Sequence, residues 1–257
     1  MANIIAVVNQ KGGVGKTTTT VNITAALRAL GKRVLLCDFD AQANATSGMG
    51  VDKNTASPNV YDVLINGAEP QKAVVSTKYG DVLPSNKALA GASIEMIAIP
   101  DREHLLQKAL EQLVPNYDYI FIDCPPSLEM LTVNALCAAG SLLVPVQCEY
   151  YALEGLSDLL ATVRLVKRGL NPKLSIEGVL LTMFDSRTNL SLQVAEEVKR
   201  HFPGKVFATV IPRNVRLSEA PSHGKPVTAY DSSSRGAVAY RRLAEELLEK
   251  NPLPRRA

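Results

Sequence analysis

An open, mostly parallel sheet wound on both faces by helices is the fold class this sequence predicts. Short apolar runs alternate with longer helical patterns, as repeated strand–helix–strand units do. Aromatic residues make up 5% of the chain and tryptophan is absent. A core with so few rings must be built from Val, Ile, Leu and Ala, which suits strands buried on both faces. A glycine-rich loop follows the first apolar run and opens a helical pattern, the place where such sheets receive a ligand.

The runs read as strands are Ile4–Val8, Val34–Cys37, Tyr119–Ile122, Leu142–Val146, Val179–Met183 and Val206–Val210. Amphipathic stretches lie between them at Thr18–Leu30, Arg102–Val114, Leu128–Ala139, Leu153–Arg168 and Leu190–Phe202, and a last helical pattern near Ser234–Glu249 closes the fold. Gly50–Pro100, broken by Ser57-Pro58, Asn66-Gly67, Glu69-Pro70 and Leu83-Pro84, reads as short helices and a short strand pair inserted after the second strand. The whole reads as one domain over residues 1–250 with a sheet of about seven or eight strands. Residues 251–257 read as a frayed tail.

Among the 257 residues, 46% are hydrophobic and 21% charged, which excludes wholesale disorder. No apolar run approaches the ~20 residues a membrane span needs. The first residues lack a basic leader and a cleavage site, so they read as a strand and not a signal peptide. A cytoplasmic protein is expected. Cys37, Cys124, Cys137 and Cys148 form no C-x-x-C pair and sit in or beside apolar runs, as buried free thiols do. The formal net charge is +3, unevenly spread: residues 187–242 hold 10 basic and 4 acidic residues. That stretch is either a solvated basic face or a surface for nucleic acid or acidic lipid.

Four segments carry chemistry. The first is Lys11-Gly12-Gly13-Val14-Gly15-Lys16-Thr17-Thr18. Glycines let successive backbone N–H groups aim at one point, and the helix dipole adds positive charge there. Lys16 would lie between β- and γ-phosphates, and the Thr17 hydroxyl would face Mg²⁺. The standard spacing asks for glycine where this chain has Gln10, and a lysine begins the loop instead. The second segment, Asp38-Phe39-Asp40-Ala41-Gln42, brings two acids to the carboxyl end of the second strand. The third, Tyr119–Asp123 followed by Cys124-Pro125-Pro126-Ser127, is an apolar strand ending in an acid. Asp123 there would hold Mg²⁺ through a water, because Mg²⁺ keeps much of its hydration shell. The Pro-Pro stops the strand and presents Ser127 or Leu128 as the next helix start. The fourth is the loop Ile211-Pro212-Arg213-Asn214-Val215-Arg216-Leu217-Ser218-Glu219-Ala220.

The lysine-led loop resembles that of the deviant Walker A ATPases. With Asp38-x-Asp40-x-Gln42, Asp123-Cys-Pro-Pro, Asp185-Ser-Arg187-Thr188-Asn189 and the Ile-Pro-Arg-Asn-Val-Arg run, almost the whole chain is similar to the ParA/Soj family of DNA-partition ATPases. The resemblance implies an ATPase that uses ATP and Mg²⁺ and forms a homodimer around two nucleotides. It implies that Gly12 through Thr18 bind the phosphates and that Lys11 reaches across to the partner's phosphates, much as an arginine finger does. Asp40 would position or activate the attacking water, and Asp38 would support the magnesium shell, through a water, or the loop. Pro212 and Asn214 would lie nearest the adenine. Arg187 and Arg216 would contact double-stranded DNA without sequence preference, with Lys225, Arg235, Arg241 and Arg242 as weaker candidates. The family's partner is a ParB-type centromere-binding protein, and the expected location is the nucleoid. The chain starts directly at its first strand, so it looks like the short chromosomal type without a separate DNA-binding domain. Other classes explain less. A MinD-like relative ends in a membrane-inserting helix, whereas the acids of Arg235–Lys250 suit docking on the core. An iron–sulfur relative would need cysteine pairs and a tyrosine kinase relative a tyrosine-rich tail. An ATP-dependent regulator with little turnover stays open.

Overall fold

The computed structural model describes residues 2–149 and 152–252. Strands β1 (Asn3–Val7), β2 (Val34–Asp38), β3 (Val75–Thr77), β4 (Gly80–Leu83), β5 (Tyr119–Asp123), β6 (Ser141–Gln147) and β7 (Ser175–Thr182) form one sheet in the order β3-β4-β2-β5-β1-β6-β7. Only the edge strand β3 is antiparallel to its neighbour; the other pairs are parallel. Every residue of β2 and β5 is buried, which is why both read as unbroken apolar runs.

The helices are α1 (Lys16–Ala29), α2 (Asn44–Gly48), α3 (Val60–Ile65), α4 (Pro70–Ala73), α5 (Leu89–Glu95), α6 (Leu105–Glu111), α7 (Met130–Ala138), α8 (Ala152–Gly169), α9 (Asn189–His201), α10 (Val215–Glu219), α11 (Val227–Tyr230) and α12 (Arg235–Lys250). Alternate strand residues feed opposite faces of the sheet. Ala6, Val8, Ile120 and Ile122 pack under α3 and α5 through α9, whereas Ile5, Val7, Tyr119 and Phe121 pack under α1, α11 and α12. Each Val, Ile or Phe among them stabilises the fold by roughly 1.5–3 kcal/mol when fully buried. Helix α12 buries Ala237, Tyr240, Leu243 and Leu247 in that second core, and the Tyr240 hydroxyl bonds Thr19 Oγ1 at 3.1 Å. Its apolar stripe is therefore spent on the core, as its sequence suggested. Among the described residues no helix is long and apolar enough to cross a membrane.

Two expectations change. Val206–Val210 is not a regular strand: it touches β7 through an isolated bridge, Val179 to Val206. The cause is Glu246, whose carboxylate accepts from the N–H groups of Ala208 (2.8 Å) and Thr209 (2.9 Å), so these never join the ladder. Helix α7 begins at Met130, later than Ser127 or Leu128, because Glu129 is still extended beyond the two prolines. The strand pair expected within Gly50–Pro100 is present as β3 and β4, and β4 widens the main sheet by pairing with β2. Of the tail expected at 251–257, residues 253–257 lie outside the described residues.

Candidate active site

The carboxyl ends of β1, β2 and β5 lie side by side, so Asp38 and Asp123 are register partners at the ligand edge of the sheet. Between β1 and α1 the loop uses left-handed backbone at Gly13 (φ 77°) and Gly15 (φ 92°). A Cβ at Gly13 would meet nothing within 4 Å, so backbone conformation and not space calls for glycine there. Gly15 caps α1 with no side-chain bond, which leaves the first N–H groups of a 14-residue helix for an anion.

Lys16 is 7% exposed, and its ammonium arches back over the loop to donate to the Lys11 carbonyl at 3.1 Å. Burial lowers its pKa, while Asp123, Cys124 and Asp40 pull it up. Asp40 is thus within electrostatic reach of the lysine. Thr17 donates to Asp123 Oδ2 at 2.7 Å and Thr20 to Asp123 Oδ1 at 3.0 Å. Burial, and then the neighbouring charge of Asp38, push the Asp123 carboxyl well above the usual carboxylate range. Burial raises Asp38 as well.

A hydroxyl and a carboxylate in contact, beside a second buried carboxyl, are hard oxygen donors with too little positive charge around them. They fit Mg²⁺, which takes oxygen ligands and shares them with phosphates and water. The glycine loop with its open helix end fits the phosphates.

Lys11 forms an ion pair with Glu149 of its own chain at 3.4 Å, both side chains partly exposed. Its N–H donates to Asn9 Oδ1 at 3.0 Å, and Asn9 is itself tied to the Pro145 carbonyl. Val14 is buried, and its carbonyl accepts from Thr182 Oγ1 at 2.8 Å, so the end of β7 props the loop. Just beyond β7, Pro212 pairs with Phe184. Asn214 accepts from the Arg216 N–H and so caps α10. Asp38 turns to Thr46, whose N–H and hydroxyl both donate to Oδ2 at 2.7 Å, while the Asp40 N–H reaches Oδ1 at 3.3 Å. The side-chain bonds of Asp38 thus run to both ends of the segment 40–46.

The expected DNA residues Arg187 and Arg216 are both paired with acids of their own chain. Arg187 grips Asp185 with two bonds, at 2.9 and 2.7 Å. Arg216 pairs with Glu219 at 2.7 Å and with Asp231 at 3.4 Å. Arg187 shares a cavity of about 860 Å³ with Arg213, Arg235 and Arg242. None of those three has an ion pair among the described residues. Sequence reasoning gave no place to Thr20, Glu149, Thr46 or Thr182. Thr20 was findable, since it follows Thr17 by three and Lys16 by four on one helix face. The others depend on contacts between distant segments.

A family model described as an AAA domain matches residues 2–176. The sporulation initiation inhibitor protein Soj of Bacillus subtilis is 59% identical over 249 residues, 96% of this chain and 98% of that protein. The chromosome partitioning protein ParA of Myxococcus xanthus is 50% identical over 253 residues, 98% of this chain and 89% of that protein. A structure of cobyrinic acid a,c-diamide synthase from Mycobacterium smegmatis, with bound ATP analog and magnesium, is similar with a TM-score of 0.85. It is 40% identical, over 97% of this chain and 95% of that one.

Proposed function

The chain belongs to the Soj/ParA family of chromosome-partitioning ATPases, and on that premise we propose that Mg-ATP pairs two copies into a dimer that holds DNA non-specifically until hydrolysis releases it. The chain is an ATPase that uses ATP with Mg²⁺. The observation that carries the reading is the contact of Thr17 with Asp123 directly behind the glycine loop.

When bound, Mg²⁺ would neutralise charge that develops on the phosphates. Thr17 and Asp123 would hold it, the latter through a water. Gly12 through Thr18 bind the phosphates with backbone N–H groups and the Lys16 ammonium. Asp40, near Lys16 in the electrostatics, orients the attacking water and takes up its proton. Lys11 leaves Glu149 and crosses to the partner's phosphates. That ion pair is exposed enough to cost little to break, on the order of 1 kcal/mol or less. Pro212 and Asn214 flank the base.

For DNA, the arginine-rich cavity supports the basic-face reading and widens it from Arg187 and Arg216 to Arg213, Arg235 and Arg242. Phosphate contacts give sequence-independent, salt-sensitive affinity. A ParB-type protein is the partner expected to stimulate hydrolysis. The test is ATP turnover with and without DNA at two salt concentrations, beside sedimentation with a non-hydrolysable analogue. DNA-stimulated turnover that weakens with salt, together with an analogue-dependent dimer, is the expected result. Turnover indifferent to DNA at both salts would refute the DNA step.

A further inference from the structure

We infer that Thr46 is a positioning residue for hydrolysis, holding Asp38 so that Asp38 fixes the backbone that presents Asp40, an inference resting on the reading of Asp40 as the water-directing residue. Thr46, Asp38 and Ser85 each have 0% of their surface exposed. The Thr46 hydroxyl donates its one proton to Asp38 Oδ2 at 2.7 Å and accepts from the Ser85 N–H at 3.0 Å. A hydroxyl used in both directions has no freedom left to turn. Ser85 follows β4, the strand that pairs with β2, so three segments close on one hydroxyl: the end of β2, α2 and the exit from β4.

Asp38 in turn grips both ends of the loop it begins. One oxygen takes the Asp40 N–H, and the other takes the Thr46 N–H and hydroxyl. Between these points the chain turns tightly. Asp40 Oδ1 accepts from Gln42 N at 2.9 Å, the Asp40 carbonyl accepts from Ala43 N at 2.9 Å, and Ala43 is left-handed with φ 52°. A left-handed alanine persists only where its surroundings over-determine it. The loop threonines Thr17 and Thr20 meanwhile donate to Asp123. The two buried carboxyls thus divide the work: Asp123 faces the Mg²⁺ donors, and Asp38 shapes the segment that carries Asp40.

Thr46→Val keeps the shape of the side chain and removes its hydroxyl; Thr46→Ser keeps the hydroxyl. With the full chain, DNA and saturating Mg-ATP, Thr46→Val should lose roughly 10- to 100-fold in kcat, the scale of a slightly misplaced reacting group. KM and analogue-dependent dimerisation should stay within about twofold of wild type, and Thr46→Ser should restore most of kcat. In an Asp40→Asn background, Thr46→Val should cost nothing more, because the two act as one unit. Equal losses in the Val and Ser variants would mean Thr46 only packs. A KM that rises in step with the fall in kcat would return Asp38 to the metal. Wild-type kcat in Thr46→Val beside an inactive Asp40→Asn would remove the relay alone, whereas normal turnover in Asp40→Asn itself would remove the Asp40 reading beneath it. If Thr46→Val fails to fold, Thr46→Cys, with a weak thiol donor, should show an intermediate loss, and full activity there would overturn the relay.

Discussion

Lys16, Asp38 and Asp123 stand at the ligand edge of the sheet with at most 7% of their surface exposed. Arg187 and Arg216 stand beyond β7 with side chains 86% and 47% exposed. Both sets are charged and hydrogen-bonded, yet they differ in what a single substitution should do. At the buried edge water cannot stand in for a missing partner, so each group is strongly coupled to its neighbours and its pKa moves. On the exposed face water and salt compete for every contact, and each arginine contributes a small, roughly additive share. Three acids, Asp185, Glu219 and Asp231, also occupy the arginines expected to meet DNA.

The sharpest break of this contrast is Lys11→Ala, since Lys11 is exposed yet is assigned a role at the partner's phosphates. A transition-state cation supplied in trans is worth about 10³-fold or more in turnover. Turnover should fall on that scale while the monomer melts normally, and the analogue-dependent dimer should weaken in sedimentation. An unchanged dimer with unchanged turnover would leave Lys11 an ordinary loop residue paired to Glu149.

Next comes Lys16→Ala, which removes the ammonium from the phosphates. A charge-assisted bond of this kind is worth about 1.5–3 kcal/mol, so ATP affinity by calorimetry should drop roughly 10- to 150-fold. Wild-type affinity would reject the assignment.

Asp123→Asn tests what burial alone does. In the nucleotide-free protein the Asp123 carboxyl is pushed up to about 8, mainly by burial and then by Asp38. A carboxyl raised on folding stabilises the fold while protonated and loses that contribution as pH rises from its unfolded value toward its folded one. The nucleotide-free wild type should therefore lose stability between about pH 4 and pH 8. Asp123→Asn should have the higher Tm at pH 8, by roughly 2–4 °C for each kcal/mol relieved, with the gap closing toward pH 4. The same variant should lose Mg²⁺-dependent turnover. A Tm below wild type at pH 8 would mean that Asp123 is already compensated without the cation.

The smallest effects belong to the exposed face. Arg187→Ala and Arg216→Ala should each lower the salt slope of DNA binding by up to ~0.9 for every phosphate left unneutralised, equally for unrelated sequences. ATP binding should be untouched. Asp185→Asn, which releases Arg187, should tighten DNA binding by a few-fold at low salt. Unchanged slopes in both arginine variants, with weaker binding in Arg235→Ala or Arg242→Ala, would move the DNA contact to Arg235 and Arg242.

The sheet, its two helical layers and the phosphate loop were legible because each rests on local spacing: short unbroken apolar runs, helical repeats, and glycines that meet a strand on one side and a helix on the other. Asp123 and Thr17 were legible for the same reason, being the end of a strand and the start of a helix. The segment Val206–Val210 misled, since its residues suit a strand and only Glu246, some forty residues later in the chain, diverts its N–H groups. Thr46 and Ser85 left no mark in the sequence beyond ordinary hydroxyl residues. Their roles exist because β4 pairs with β2 and brings three segments onto one buried carboxyl. The pairing of Arg216 with Asp231 belongs to the same class, whereas that of Arg187 with Asp185, two residues apart, is local. Local pattern determined which groups the protein owns and at which edge they stand; burial and long-range contact decided which of those charges are free to act.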